Sequence, residues 1–483
     1  MVRRPLLSSR RLWAAIAILT VVVAYVATVT PGHAFEADDF AAYVMQARNL
    51  VEGRAYSDIH NVPNPHALSV APPQGYPPMY PLLLAPVYKI WGLNLRIMKI
   101  ATVFCFGLAM AAFALLFENE LPGWAISAAI VLMGFNLAFW EQRDYLVSEF
   151  TYLMFSLGAL LAAQKFSKNL DPREWRYAEA LVLSVLLYAA YGTRTIGITL
   201  LPAVILAGLW KFQRPSRFLL VVVACTSLLI LMQNALFVSP KAYLNAAHPS
   251  VAITWQHVIY YGKTLSYLWR NGMIKILQIF LAGLFTVLAG VGFLRRLWAR
   301  KSATEFYVAG YAALLCVWTS DLGMRGLLPV LPLYFAYALA EMIRMFSRLA
   351  RPYRFASVAT LSAVIVLTYA AAFHEYAHRL HLPDVSDPQA QELFRYVKAN
   401  TNPADLLVMQ QPRTLALFTD RFTTVLAPGD SVAVSERFLA GVHARYLIYN
   451  DKLGLPIQEL IDSKVLAREP LFQNSEFAVY AVQ

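Results

Sequence analysis

Four short stretches hold the residues whose types and spacing could do chemistry. "FEADDFAAYVMQARNLVEG" carries Glu36, Asp38 and Asp39; "QRDYLVSEF" carries Asp144 and Glu149; "YGTRTIG" carries Arg194; "DLGMRGLLPVLPL" carries Arg325. A carboxylate within hydrogen-bond reach of a hydroxyl or amine can act as a general base. An arginine never loses its charge and grips phosphate oxygens with paired N–H groups. Carboxylates together with lone arginines therefore suit transfer of a group from a phosphate to a hydroxyl or amine: the base takes the acceptor's proton and the cations hold the charge that develops on the leaving phosphate. Each residue also has a plainer reading. Asp38 or Asp39 is the N-cap of the helix that follows, Glu149 caps a helix at headgroup level, and each arginine snorkels to lipid headgroups.

The elements that must position these residues are mostly built for lipid. Of 483 residues, 58% are hydrophobic and only 14% charged, with mean hydropathy +0.50; a soluble domain carries about 25% charged residues. Apolar runs near bilayer-crossing length recur up to Ala372. They predict about eleven spans, at 12–30, 97–117, 123–141, 150–165, 176–191, 195–211, 217–237, 273–294, 303–319, 326–343 and 355–373. With the N-terminus inside, nineteen cations fall in inside loops: Arg3, Arg4, Arg10, Arg11, Lys165, Lys168, Arg173, Arg176, Lys211, Arg214, Arg217, Arg295, Arg296, Arg300, Lys301, Arg344, Arg348, Arg351 and Arg354. Only the inside loop "ENELP" has none, and the short outside turns hold about one each: Arg143, Arg194 and Arg325. This orientation predicts a first outer loop at 31–96, an outer loop at 238–272, a transmembrane domain over 1–376 and a soluble outer domain over 377–483.

The formal charge of +12 does not signal nucleic-acid binding, because the excess lies in those short loops and the tail from Ala377 holds ten Lys/Arg against twelve Asp/Glu. Cys105, Cys225 and Cys316 all lie in apolar runs, which argues against a disulfide framework or thiolate metal site. The run Leu12–Thr30 is too long for a signal-peptide core and reads as a retained anchor. No phosphate-binding loop, dinucleotide fingerprint or HExxH motif is present.

From Asp39, the residues Phe40, Tyr43, Val44, Ala47, Leu50 and Val51 share one helical face, with Arg48, Asn49 and Glu52 on others; this predicts an amphipathic helix on the membrane surface, ended by Gly53. Pro77–Gly92 starts with a proline pair and reads as an interfacial segment, with Tyr76, Tyr80, Tyr88 and Trp91 suited to headgroup level. The 238–272 loop is rich in aromatics and cations, including Trp255, His257, Tyr260, Tyr261 and Lys263, and reads as a surface anchor or a lid. In the tail, "DPQAQELFRYVKAN" has helical period, while "DLLVMQ", "ARYLIYN" and "EFAVYAVQ" read as strands, so a small α/β domain is expected.

The order of "DDFAAYVMQARNLVEG", "YPPMYPLLLAPVY", "RDYLVSEFTY", "YGTRTIG" and "RGLLPVLPLY" resembles the membrane-embedded GT-C glycosyltransferases, nearest to the branch of dolichyl-phosphate-mannose protein mannosyltransferases and lipid A aminoarabinose transferases. The likeness covers roughly residues 10–345. The resemblance agrees with a mainly α polytopic fold; the loop charges put the N-terminus in the cytoplasm and the C-terminal domain outside, and the short N-terminus and compact loops point to a bacterial inner membrane, with that domain periplasmic. The resemblance implies a polyprenyl-phosphate sugar donor and transfer on the outer face; direct displacement by a hydroxyl or amine of a lipid, glycan or protein acceptor is the mechanism expected, and one displacement inverts the anomeric centre. The family's first-loop acid falls on Asp39 or Asp38, with Asp39 preferred because Tyr43 then matches an aromatic four residues on. The second-loop acid falls on Glu149, with Asp144 the lesser match, and the phosphate-binding cations on Arg194 and Arg325. Arg143, Tyr43, Tyr76 and Lys263 are accessory candidates. No metal is required by this reading; a divalent ion bridging Asp39 and Glu149 is the alternative. The lipid A transferases usually have Lys-Pro where this chain has Tyr76-Pro77, which leaves the sugar open. The rival expectation is a transporter or flippase of lipid-linked sugars.

Overall fold

The protein is described by a computed structural model covering residues 9–35, 38–67, 75–168, 177–213, 216–237, 250–270, 272, 275–318, 321–378, 384–427, 429–450 and 457–483. Glu36 and positions 238–249 of the expected outer loop lie outside the described residues. The chain divides into two compact units, one of Met1–Thr28, Thr102–Arg143 and Ser148–Leu380, the other of Val29–Ala101, Asp144–Val147 and His381–Gln483.

The first unit is a bundle of apolar helices, and a helix lies over each run read as a span. Among the described residues, Arg10–Thr28, Leu95–Phe117, Arg217–Leu236, Lys275–Ala299 and Arg351–Ala377 are long and apolar enough to cross a bilayer. The chain is a multi-pass membrane protein. Over the run 123–141 the helix is broken: Gly123–Gly134 and Leu137–Asp144 meet at 61°. Asn136 makes the break, capping the second piece through Ala138 N at 3.0 Å and donating to Leu268 O at 2.9 Å and Tyr369 Oη at 3.0 Å. Others are shorter, such as Tyr177–Thr193 and Ala303–Val317, and the run 195–211 starts as a 3₁₀ turn, Thr195–Thr199, before the helix Leu200–Phe212.

Small residues set the helix spacing, since lipid gives no hydrophobic drive for helices to associate. A Cβ on Gly292 of Lys275–Ala299 would sit 2.6 Å from the Tyr337 carbonyl on Leu331–Ser347. The loop "ENELP" gathers cations from the ends of two helices: Arg11 at the start of Ser9–Thr28 donates to Glu118 at 2.9 Å, and Arg296 and Arg300, in and just after the last turn of Lys275–Ala299, both pair with Glu120. Those helix ends and the loop therefore share one end of the bundle.

The second unit is α/β. Its strands are β1 (Leu406–Val408), β2 (Phe422–Thr424), β3 (Ala444–Tyr449), β4 (Phe472–Gln473) and β5 (Ala478–Ala481), in the order β2-β1-β3-β5-β4. β1 pairs in parallel with β2 and β3, while β5 runs antiparallel to β3 and β4. A parallel neighbour demands a crossover, and the helix Pro412–Thr419 supplies it between β1 and β2. The expected strands match β1, β3 and β5, and the expected helix is Pro388–Asn400. β2 and β4, of three and two residues, are not among the expected strands.

One core joins the first-loop residues to the tail: Phe35, Phe40, Tyr43 and Val44 pack with Leu393, Phe394, Leu407, Leu415, Phe477 and Val479. The helix expected from Asp39 spans Asp39–Glu52 and ends on Gly53 in the left-handed region, φ 68°. Its burial differs from the surface helix read from the sequence. Phe40 to Asn49 are all buried, including Gln46, Arg48 and Asn49. Arg48 is covered because it donates to Asp420 at 2.7 Å, and Asn49 because it donates to the carbonyls of Ala55 and Asp58. First-loop residues also extend the sheet beside β2, with Val62 N donating to Thr423 O and Thr423 N to His60 O, both at 2.8 Å; an open strand edge is thereby paired.

Candidate active site

The two aspartates at the head of Asp39–Glu52 have different surroundings, both within the second unit. Asp38 occupies the N-cap position but makes no side-chain cap bond to its own helix. It turns instead to the crossover helix Pro412–Thr419, accepting from Thr414 N at 2.7 Å, Thr414 Oγ1 at 2.9 Å and Arg413 Nε at 2.9 Å. A helix start leaves backbone N–H groups without intrahelical partners and favours an anion, and Asp38 fills that place from another part of the chain. Burial pushes its carboxyl up from the usual range, while Arg413 and Thr414 pull it back.

Asp39 is the more accessible, its side chain 27% exposed. It accepts from the Tyr76 hydroxyl at 2.6 Å, and Arg413 Nη1 stands 3.6 Å from the same oxygen. Arg413 Nη1 also donates to Tyr76 Oη at 2.7 Å. Tyr43, one turn along from Asp39, packs its ring 4.5 Å from that of Tyr76 and 4.9 Å from Tyr80. Burial holds the Tyr76 hydroxyl well above its usual range, so it stays a proton donor.

In the first unit, Glu149 opens the helix Glu149–Lys168 and is fully buried. Arg194 Nη1 and Arg325 Nε both donate to its Oε1, each at 2.6 Å. Two guanidiniums share one carboxylate, leaving a net positive charge suited to an anion. Arg194 and Arg325 are 17% and 39% exposed, so both reach solvent. Arg194 sits extended between the helix Tyr177–Thr193 and the turn Thr195–Thr199. Gly197 permits that turn: a Cβ there would lie 2.7 Å from the backbone of Ala190 and Tyr191. Arg325 lies on the short helix Gly323–Leu327, which Tyr311 pins by donating to Gly326 O at 2.8 Å.

The remaining candidates stand elsewhere. Asp144 accepts from Thr30 N at 2.9 Å and lies 3.7 Å from the buried Lys99 ammonium. Arg143 donates to Thr28 Oγ1 and lies 4.4 Å above the Trp140 ring. Lys263 is exposed on the helix Val251–Ser266. Arg413 and Thr414 were not singled out by sequence reading; nothing in "QPRTLALFT" marks a cation destined for the first loop.

Cations of the chain already stand against both carboxylates, one guanidinium 3.6 Å from Asp39 and two at 2.6 Å from Glu149. Among the described residues no group of three His, Cys, Asp or Glu is assembled that could hold a metal ion.

No protein-family model and no curated protein matches the sequence. Solved structures do match the fold. ArnT from Cupriavidus metallidurans, bound to undecaprenyl phosphate, is 12% identical, with a TM-score of 0.59 over 97% of this chain and 98% of that one. The oligosaccharyltransferase AglB from Archaeoglobus fulgidus, in complex with an inhibitory peptide and a dolichol-phosphate, is 12% identical, with a TM-score of 0.62 over 92% of this chain and 70% of that one. An Archaeoglobus fulgidus oligosaccharyltransferase in complex with zinc and sulfate gives 13% identity and a TM-score of 0.60, over 98% of this chain and 73% of that one. This chain therefore shares the fold of these solved membrane enzymes.

Proposed function

We propose that this chain is a membrane glycosyltransferase that moves a sugar from a polyprenyl-phosphate donor to a hydroxyl or amine acceptor at the outer face of a bacterial inner membrane. The observation that carries the reading is the pair Arg194 and Arg325 on the buried Glu149. A donor phosphate gathers negative charge as its bond to the sugar breaks, and fixed guanidiniums stabilise that charge most when they need no rearrangement. The undecaprenyl and dolichol phosphates bound to ArnT and AglB support a donor of this class.

The acceptor oxygen or nitrogen attacks the anomeric carbon. The bond from that carbon to the phosphate oxygen breaks, and its electron pair leaves with the lipid phosphate held by Arg194 and Arg325. Asp39 takes the acceptor's proton. One displacement inverts the anomeric centre. Glu149 serves by holding both arginines in place. Each step uses the chain's own residues, and none is routed through a metal ion.

The test is purified protein in lipid, given a panel of polyprenyl-phosphate sugars and acceptors, with release of polyprenyl phosphate measured. The expected result is turnover with one donor class, and a loss of about 100-fold or more in kcat/KM on Arg194→Gln or Arg325→Gln. Transport of an intact lipid-linked sugar without release of the lipid phosphate would overturn the proposal in favour of a flippase.

A further inference from the structure

We infer that Arg413, contributed by the C-terminal segment, is a positioning residue for the proposed transfer, acting on Asp39 through the Tyr76 hydroxyl. The inference rests on Asp39 being the base. Arg413 is 1% exposed and spans two groups with one guanidinium: Nε donates to Asp38 at 2.9 Å and Nη1 to Tyr76 Oη at 2.7 Å. Its backbone is fixed as well, because it lies at the start of the helix Pro412–Thr419, whose N–H groups point at Asp38.

The proton bookkeeping is strict. A guanidinium only donates, and a tyrosine hydroxyl has one proton. With Tyr76 Oη accepting from Arg413, that single proton is left for Asp39, 2.6 Å away. Asp39 is thereby held as an acceptor in one orientation, beside a permanent positive charge at 3.6 Å. Arg413, Asp38, Tyr76 and Tyr43 are among the groups around it. The cation favours ionised Asp39, whereas Asp38 disfavours it. A carboxylate kept ionised and oriented can receive the acceptor's proton. Loss of the fork would let Tyr76 rotate and would weaken the charge beside Asp39.

The experiment is a double-mutant cycle of Arg413→Gln and Tyr76→Phe in the full-length protein, with kcat, donor KM and the pH dependence of kcat/KM measured for each variant. Expected for Arg413→Gln is a fall in kcat of about 10- to 100-fold, donor KM within about 2-fold, and an acid limb moved to higher pH. The double variant loses no more than the worse single variant. If Arg413→Gln fails to fold, Arg413→Lys carries the test: it keeps a charge against Asp38 but lacks the planar fork, and it is expected to show the same loss in kcat with a smaller shift of the acid limb. Absence of turnover by the unaltered protein with every donor overturns the transferase reading and this one with it. Turnover by the unaltered protein, together with unchanged kcat and pH profile in a folded Arg413 variant, overturns the positioning role alone. So does full additivity with Tyr76→Phe.

Discussion

At the scale of single residues, Asp38 and Asp39 are neighbours in sequence with separate tasks. Asp38 is buried and accepts three hydrogen bonds of 2.9 Å or shorter from the crossover helix. Replacing it with alanine strands the buried Arg413, a change that typically costs about 3–5 kcal/mol; a marked fall in melting temperature is expected. Asp39→Asn keeps the shape of a partly exposed side chain and removes the base, so turnover should fall at least about 100-fold with the melting temperature nearly unchanged. Equal activity loss with equal unfolding in both variants would contradict this division. His33 gives the second unit an acid limit. It accepts from Leu146 N through Nε2 at 3.1 Å, so Nδ1 carries the proton and faces the Ala34 carbonyl at 2.9 Å. Burial, stacked on Phe40 at 3.8 Å, and the nearby Lys99 lower its pKa to about 3. The unfolded histidine titrates near pH 6.5, so the folded state binds fewer protons below that pH. Stability is therefore full above about pH 6.5 and falls progressively toward pH 3. Denaturant midpoints measured from pH 7 to pH 4 should decline, with a shallower slope in His33→Gln.

At the scale of elements, the turn at Arg194 depends on a backbone approach that only glycine allows. A Cβ at Gly197 would collide with backbone atoms of Ala190 and Tyr191, which cannot swing aside as a side chain does. Gly197→Ala should cost about 1–3 kcal/mol by overpacking and move the start of the turn that carries Arg194. Donor KM is expected to rise while the helix Tyr177–Thr193 persists, as read by activity and circular dichroism together. Unchanged KM would show that the turn does not set the arginine. The helix Asp39–Glu52 teaches a related point. Its apolar stripe was readable, because the spacing of Phe40, Tyr43, Val44 and Ala47 follows from helical geometry. Burial of its other side was not, because Arg48 finds its partner Asp420 across 372 positions of sequence.

At the scale of the whole molecule, residues 29–101 belong to one unit with 381–483. Phe40 and Val44 share their core with Phe394, Leu415 and Phe477. A chain ending at Ala377 would leave that apolar surface in water, at a cost of about 25 cal/mol per Å². Such a truncation should lose all turnover, and limited proteolysis should cut the 39–101 region far faster than in the full chain. A protease-resistant first loop in the truncated chain would refute this coupling.

The sequence by itself determined a mainly α, multi-pass membrane architecture and the small α/β element of the tail. It also marked out Asp38, Asp39, Glu149, Arg194 and Arg325. These are local properties: helix period, apolar run length and the presence of charge where lipid disfavours it. The tertiary structure decided which aspartate is buried, that Glu149 is shared by two arginines, and that Arg413 reaches Tyr76 from 337 positions away. Such pairings depend on chain segments meeting around a common core, and no spacing in a single sequence encodes which distant residue will complete a hydrogen bond.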